Sequence, residues 1–135
     1  MIAVDTSALM AILLDEPEAD GCIAVMESER EIVISAGTMA ESLIVAARRN
    51  IAEEMAKLIE GYGMTVVSVT PAAARRMATA YMRWGKGAHA AGLNFGDCFA
   101  YDAAKDHRCT LLYIGDDFSK TDVKSVSASR GRAGR

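Results

Sequence analysis

A chain of 135 residues with a net charge of −3, 51% of it hydrophobic, has the length of one domain and the composition of a globular one. The most apolar stretch, residues 2–14, is interrupted by Asp5, is too short to span a bilayer and lacks the basic leader of a secretory signal. Cys22, Cys98 and Cys109 are odd in number and widely spaced, which argues against a disulfide framework or a zinc ribbon and for a reducing cytoplasm.

In chain order, the apolar run 1–4 reads as a buried strand that ends at Asp5. Thr6 and Ser7 offer hydroxyls for a helix start, and residues 8–14 continue the helix until Asp15-Glu16-Pro17 breaks it. A second helix is expected over 18–28 and a second strand over 31–35. Gly37 and Thr38 open a helix reaching Arg49, and another covers 52–60, stopped by Gly61 and Gly63. The β-branched run 65–69 gives a third strand, and Pro71 stands at the first position of a helix ending near Trp84. The stretch 85–93, GKGAHAAGL, is loop-like. Gly96 or Asp97 starts the next helix, which His107 caps; 111–114 is a fourth strand, 115–121 is rich in turns, and 123–126 forms a short last strand. Residues 1–126 therefore read as a single domain and 127–135 as a flexible Ser, Gly and Arg tail. Strands alternating with helices imply an α/β sandwich, with a short, mostly parallel sheet of buried apolar strands flanked by helices.

Four elements each offer an acid. Asp5 ends the first strand and Asp116 follows the fourth, with Asp117 beside it, so two strands deliver carboxylates to one edge of the sheet. Glu41 stands on a helix that is apolar almost all round, where burial of a carboxylate is costly without a cation or strong donors. Asp97 begins the helix that carries Cys98, Phe99 and Ala100. Each acid also has a purely structural reading: helix caps for Asp5 and Asp97, turn formers for Asp116 and Asp117, and a solvent-reaching side chain or an Arg48 partner for Glu41. Taken together the acids favour a cation site, because clustered carboxylates repel unless a cation lies among them. Hard oxygen ligands suit Mg2+ or Mn2+, which support phosphodiester hydrolysis without a side-chain nucleophile.

The opening MIAVDTSALMAILLDEPE, the helix SAGTMAESLIVAARR, the segment GKGAHAAGLNFGDCFAYDAAK and the stretch LLYIGDDFSKTDV resemble the acidic motifs of PIN-domain ribonucleases of the VapC type. These are the toxins of bacterial and archaeal toxin–antitoxin pairs. The resemblance covers residues 1–126 and implies a PIN-like three-layer sandwich. It implies that Asp5, Glu41, Asp97 and Asp116 bind Mg2+ or Mn2+ and carry catalysis, supported by Thr6, Ser7, Asn94 and Asp117. It also implies cleavage of a specific cellular RNA, such as tRNA or rRNA, a homodimer, and a small VapB-type antitoxin whose basic residue enters the acidic pocket. One position departs from the pattern: Ile114 stands two residues before Asp116, where many members carry Thr or Ser.

An acidic chain needs a local basic patch to hold RNA. Arg48-Arg49, Arg75-Arg76 and the Arg83, Lys86 and His89 segment are the clusters available, and the last leads into the third acidic motif. Arg75 and Arg76 also read as a solvated helix face, His89 as a loop-ordering residue, and Met39 and Met55 as core filler or the lining of a partner groove. An aspartyl-phosphate enzyme would want a second Asp two residues after Asp5, where Ser7 stands. A PIN-like module that only binds RNA would be marked by a lost acid, and all four are present.

Overall fold

The computed structural model describes residues 1–127; most of the expected tail, including Arg130, Arg132 and Arg135, lies outside them. The chain runs β1 (Ile2–Val4), α1 (Thr6–Leu13), α2 (Ala19–Ser28), β2 (Ile32–Ser35), α3 (Ala36–Arg48), α4 (Ala52–Gly61), β3 (Thr65–Val67), α5 (Pro71–Trp84), α6 (Phe95–Asp106), β4 (Thr110–Tyr113), a 3₁₀ turn (Phe118–Lys120) and β5 (Ser125–Ser127). The strands form one sheet in the order β3-β2-β1-β4-β5, and every pairing among the described residues is parallel. The register places Ile2 beside Ile32 and Thr110, so β1 is central.

Alternation along the central strands builds two core layers. Ile2, Val4, Ile32, Ile34 and Leu112 pack with Leu9, Met26 and Met55 on one face. Ala3, Val33, Leu111 and Tyr113 pack with Met77, Trp84, Leu93 and Tyr101 on the other. Helices α1 to α4 thus contribute to the first layer and α5 and α6 to the second, which is the expected three-layer sandwich. Cys22 and Cys98 lie in different layers.

Local chemistry fixes the element ends. Thr70 caps α5 by accepting from the Ala73 N–H, and Pro71 follows at the first helical position, where its missing donor costs nothing. Ser35 ends β2 and caps α3 through the Gly37 N–H. The 85–93 loop is tied by the Lys86 N–H to the Leu93 carbonyl and by the Leu93 N–H to the Trp84 carbonyl. His107 caps α6 as expected, its ring nitrogen 3.0 Å from the Ala103 carbonyl.

Four expectations need correction. β3 is not buried: Thr65 and Val66 are exposed because β3 is an edge strand with no covering layer over these side chains. α3 is not buried all round: Thr38, Ser42 and Ala46 are its buried residues, while Ile44 is 54% exposed. Met55 is fully buried in the first layer and lines no surface groove. Asp97 is not the N-cap of α6; Asn94 is, and Asp97 occupies the third helical position.

Candidate active site

β1 and β4 are adjacent, and from them the sheet grows in opposite directions, to β2 and β3 on one side and to β5 on the other. The carboxyl ends of strands at such a reversal flank a crevice, the usual ligand position in an open parallel sheet. The residue after β1 is Asp5, and the loop after β4 carries Asp116 and Asp117.

Asp5 serves as a cap and is also a buried acid. Its Oδ2 accepts from the Ser7 backbone N–H at 3.1 Å and from the Ser7 hydroxyl at 2.7 Å, which caps α1. Its Oδ1 is buried and has no hydrogen-bond partner among the described residues. Burial raises the Asp5 carboxyl to about 6; the bonds from Ser7 oppose that rise, and the charges of Asp97 and Glu41 add to it. Ser7 performs a second task. Its oxygen accepts from the Ile114 N–H at 3.0 Å, so one hydroxyl ties the ends of β1 and β4 together. The departure at Ile114 therefore still leaves a hydroxyl at this junction, supplied by Ser7.

Asn94 and Asp97 form a reciprocal pair. The Asp97 N–H donates to Asn94 Oδ1 at 2.8 Å, and the Asn94 N–H donates to Asp97 Oδ2 at 3.0 Å. Desolvation raises the Asp97 carboxyl, the Asn94 N–H lowers it, and the charges of Glu41 and Asp117 raise it again. Glu41 reaches the same place from α3: its Oε1 accepts from the Thr6 hydroxyl at 2.7 Å, and Thr6 is in turn 3.0 Å from the Ser42 hydroxyl. No Glu41–Arg48 ion pair forms among the described residues.

The fold thus brings Asp5, Glu41 and Asp97 within electrostatic reach of one another and Asp117 within reach of Asp97, with Thr6, Ser7 and Asn94 bonded to the first three. Asp117, not Asp116, is the loop acid whose charge acts on Asp97. The Asp116 carbonyl accepts from the backbone and hydroxyl of Ser119. The donors are all carboxylate oxygens, which suits a small hard cation, and the unsatisfied Asp5 oxygen is the kind of atom such an ion would engage. Among the described residues no three acid, histidine or cysteine side chains close into a direct ligand set.

The basic residues divide. His89 accepts from the Ala91 N–H at 2.9 Å and meets the Trp84 ring edge-on at 4.7 Å, so it orders the loop. Arg83 lies 4.4 Å over the Trp84 ring and 3.7 Å from Asp122, whereas Lys86 is exposed. Arg76 is no freely solvated cation; it forks onto Asp102. Arg48 lines a groove together with Glu41, Phe95 and Gly96.

Two features escaped the sequence reading. Trp84 donates to the Tyr101 hydroxyl at 3.1 Å, and Tyr101 donates to Asp122 at 2.6 Å, so α5 and α6 anchor the segment that follows the Asp116-Asp117 loop. Its trace in the sequence is the final Asp of GDDFSKTD. Gly96 is the second, lying directly against the Glu41 carboxylate.

A family model described as the PIN domain matches residues 2–124. The chain belongs to the PIN-domain family. Among curated PIN-domain relatives, Ribonuclease VapC30 of Mycobacterium tuberculosis is 36% identical over 129 residues, covering 93% of this chain and 98% of that protein. Ribonuclease VapC36 of the same organism is 39% identical, covering 90% of each chain, and Ribonuclease VapC of Mycolicibacterium smegmatis is 37% identical, covering 93% of this chain and 99% of that protein. These relatives place this PIN domain among the VapC ribonucleases. Solved structures share the fold. Mycobacterium tuberculosis VapC20, described as a sarcin-ricin loop cleaving toxin, superposes with a TM-score of 0.75 at 18% identity and covers 93% of this chain and 98% of its own. A chain of a toxin–antitoxin complex from Klebsiella pneumoniae gives 0.73 at 17% identity, covering 95% and 98%.

Proposed function

We propose that this PIN domain is the ribonuclease toxin of a toxin–antitoxin pair, a Mg2+- or Mn2+-dependent endoribonuclease that hydrolyses phosphodiester bonds in a specific cellular RNA. The observation that carries the reading is the Asp5 carboxylate: buried, half unsatisfied, and pushed up chiefly by that burial and further by two neighbouring acids on separate elements. A carboxylate kept in that state destabilises the fold, so its presence is best understood as readiness for a cation.

Asp5 and Asp97 would hold the ion, with Glu41 and an acid of the 116–117 loop completing the negative surround. A bound divalent ion supplies charge neutralisation for the phosphodiester and a more acidic water. The protein's own groups prepare the place. Ser7 fixes the rotation of Asp5, Asn94 fixes Asp97, and Thr6 turns Glu41 toward α6. Arg48, in the groove beside Glu41, is the cation best placed to meet an RNA phosphate, and the exposed Arg83 and Lys86 are further candidates for RNA contact.

The partners belong to the same reading. Met82 and Phe95 are 76% and 71% exposed and line a groove of about 490 Å³ between α5 and α6 with Val69, Tyr81 and Phe99. Apolar exposure on this scale supports a protein contact, either a second copy of the chain or a small antitoxin, whose basic residue would complement the acids. No described helix is long and apolar enough to cross a membrane, and the reading places the enzyme with its RNA in the cytoplasm.

The test is end-mapping of host RNA after incubation with the purified chain in Mg2+ or Mn2+, with chelator, and with Asp97→Asn. Discrete new ends that require both the metal and Asp97 are expected. Ends that persist with chelator, or with a folded Asp97→Asn protein, would sink the site assignment.

A further inference from the structure

Gly96 occupies the second helical position of α6, between Phe95 and Asp97. Glycine is a poor helix residue, and its backbone here is not in the left-handed region, so conformation does not call for it. Space does. A Cβ built on Gly96 would overlap Glu41 Oε2 and stand 2.8 Å from Cδ and 3.2 Å from Oε1. The Glu41 carboxylate is therefore seated directly on the α6 backbone, with the Thr6 hydroxyl holding its Oε1. The seat lies at the first turn of a helix, where the dipole favours an anion.

We propose that Gly96 is a positioning residue for the reaction: by carrying no side chain it lets the Glu41 carboxylate enter the acid cluster beside Asp97. Its role toward the cation rests on the reading of Glu41 as a cation-facing acid. The collision falls on the far end of a flexible side chain, so a methyl group at 96 displaces the carboxylate and leaves the packing of α6 intact. Gly37 differs: its Cβ would strike the Phe99 ring, and a substitution there tests packing instead.

The experiment compares full-length wild type, Gly96→Ala, Glu41→Gln, Glu41→Asp and the double variant Gly96→Ala/Glu41→Asp. Crystal structures of metal-free wild type and Gly96→Ala report the carboxylate, and calorimetric titration with Mn2+ alone reports binding. Gly96→Ala is expected to melt within a few degrees of wild type, to lose the Thr6–Glu41 hydrogen bond, and to bind Mn2+ about tenfold more weakly. Turnover falls similarly while KM for RNA changes little. The double variant should recover part of the loss relative to Gly96→Ala, because the acid one methylene shorter stands clear of the new methyl. A Gly96→Ala structure with the carboxylate and its Thr6 bond in place overturns the proposal, as does a double variant whose loss is the product of the single losses. If Gly96→Ala moves the carboxylate but Glu41→Gln binds Mn2+ like wild type, the positioning contact stands and the cation-facing role of Glu41 fails.

Discussion

Ser7 holds Asp5 from two sides: its N–H and its hydroxyl both donate to the same carboxylate oxygen, at 3.1 and 2.7 Å. The hydroxyl oxygen also receives the Ile114 N–H, so the group that orients the acid is the group that aligns β1 with β4. Ser7→Ala is expected to cost about 1 to 2 kcal/mol, because it strands a partly buried N–H and removes a charge-assisted bond. It should also raise the Asp5 carboxyl further, since the bonds from Ser7 are what hold it down. A thermal melt combined with a pH–rate profile checks both; an unmoved acidic limb would remove Ser7 from the site.

The Asp5 shift sets a pH dependence for the metal-free chain. Its carboxyl rises from 3.8 to about 6 on folding, so the folded state favours the protonated form. The stability this contributes is fully present below 3.8 and is lost as pH rises through about 6. Asp97 shifts in the same direction, while Asp122 shifts down and acts below this window. Asp5→Asn should therefore stabilise the chelated protein at pH 7 by on the order of 2 kcal/mol and flatten its dependence between pH 4 and 7. Melts in chelator across that range are the measurement, and a variant no more stable than wild type at pH 7 would contradict it.

Asn94→Ala removes the cap of α6 and frees the backbone N–H of Asp97. The expected cost is about 1 kcal/mol of stability. Mn2+ affinity should fall as well, because the Asp97 carboxylate keeps its Asn94 N–H bond only while the capped turn holds its shape. Asn94→Ser, which can still cap, should restore much of both, and calorimetry on the two variants decides the point.

Arg76→Ala serves as a contrast away from the site. Arg76 forks onto Asp102 at 2.7 and 3.0 Å; Asp102 is nearly buried, whereas the arginine side chain is 42% exposed. Allowing for solvent screening, the loss should be on the order of 1 to 2 kcal/mol, with turnover unchanged. A fall in turnover at a temperature where the variant is folded would bring this pair into the catalytic account.

The sequence made α5 and β1 legible because their signals are local: Thr70 and Pro71 announce a helix start, and an unbroken apolar triplet ending in Asp5 announces a buried strand. The short apolar runs announced a parallel sheet, but its strand order, and with it the crevice beside Asp5, is set by tertiary pairing. Other features depend on tertiary neighbours and leave little local trace. Val66 is as apolar as Val33 but is exposed, because β3 lies at an edge. Asn94 escaped as the cap because Asp97, three residues on, is an equally good capping residue by type. The choice between Asp116 and Asp117 rests on the turn after β4, whose geometry two adjacent aspartates do not reveal. Gly96 looked like a helix-start glycine, and only the approach of α3 shows what it makes room for.

The pairing of β1 with β4 has a consequence for how the protein is made. Asp5 is synthesised well before the strand that flanks it, which begins at Thr110, and the loop acids follow at 116 and 117. A nascent chain holding only β1 to β3 has one side of the crevice, with Asp5 and Glu41 but neither Asp97 nor Asp117. The acid cluster therefore does not exist until β4 and the loop behind it have been made, and β1 to β3 alone form only an open half of it.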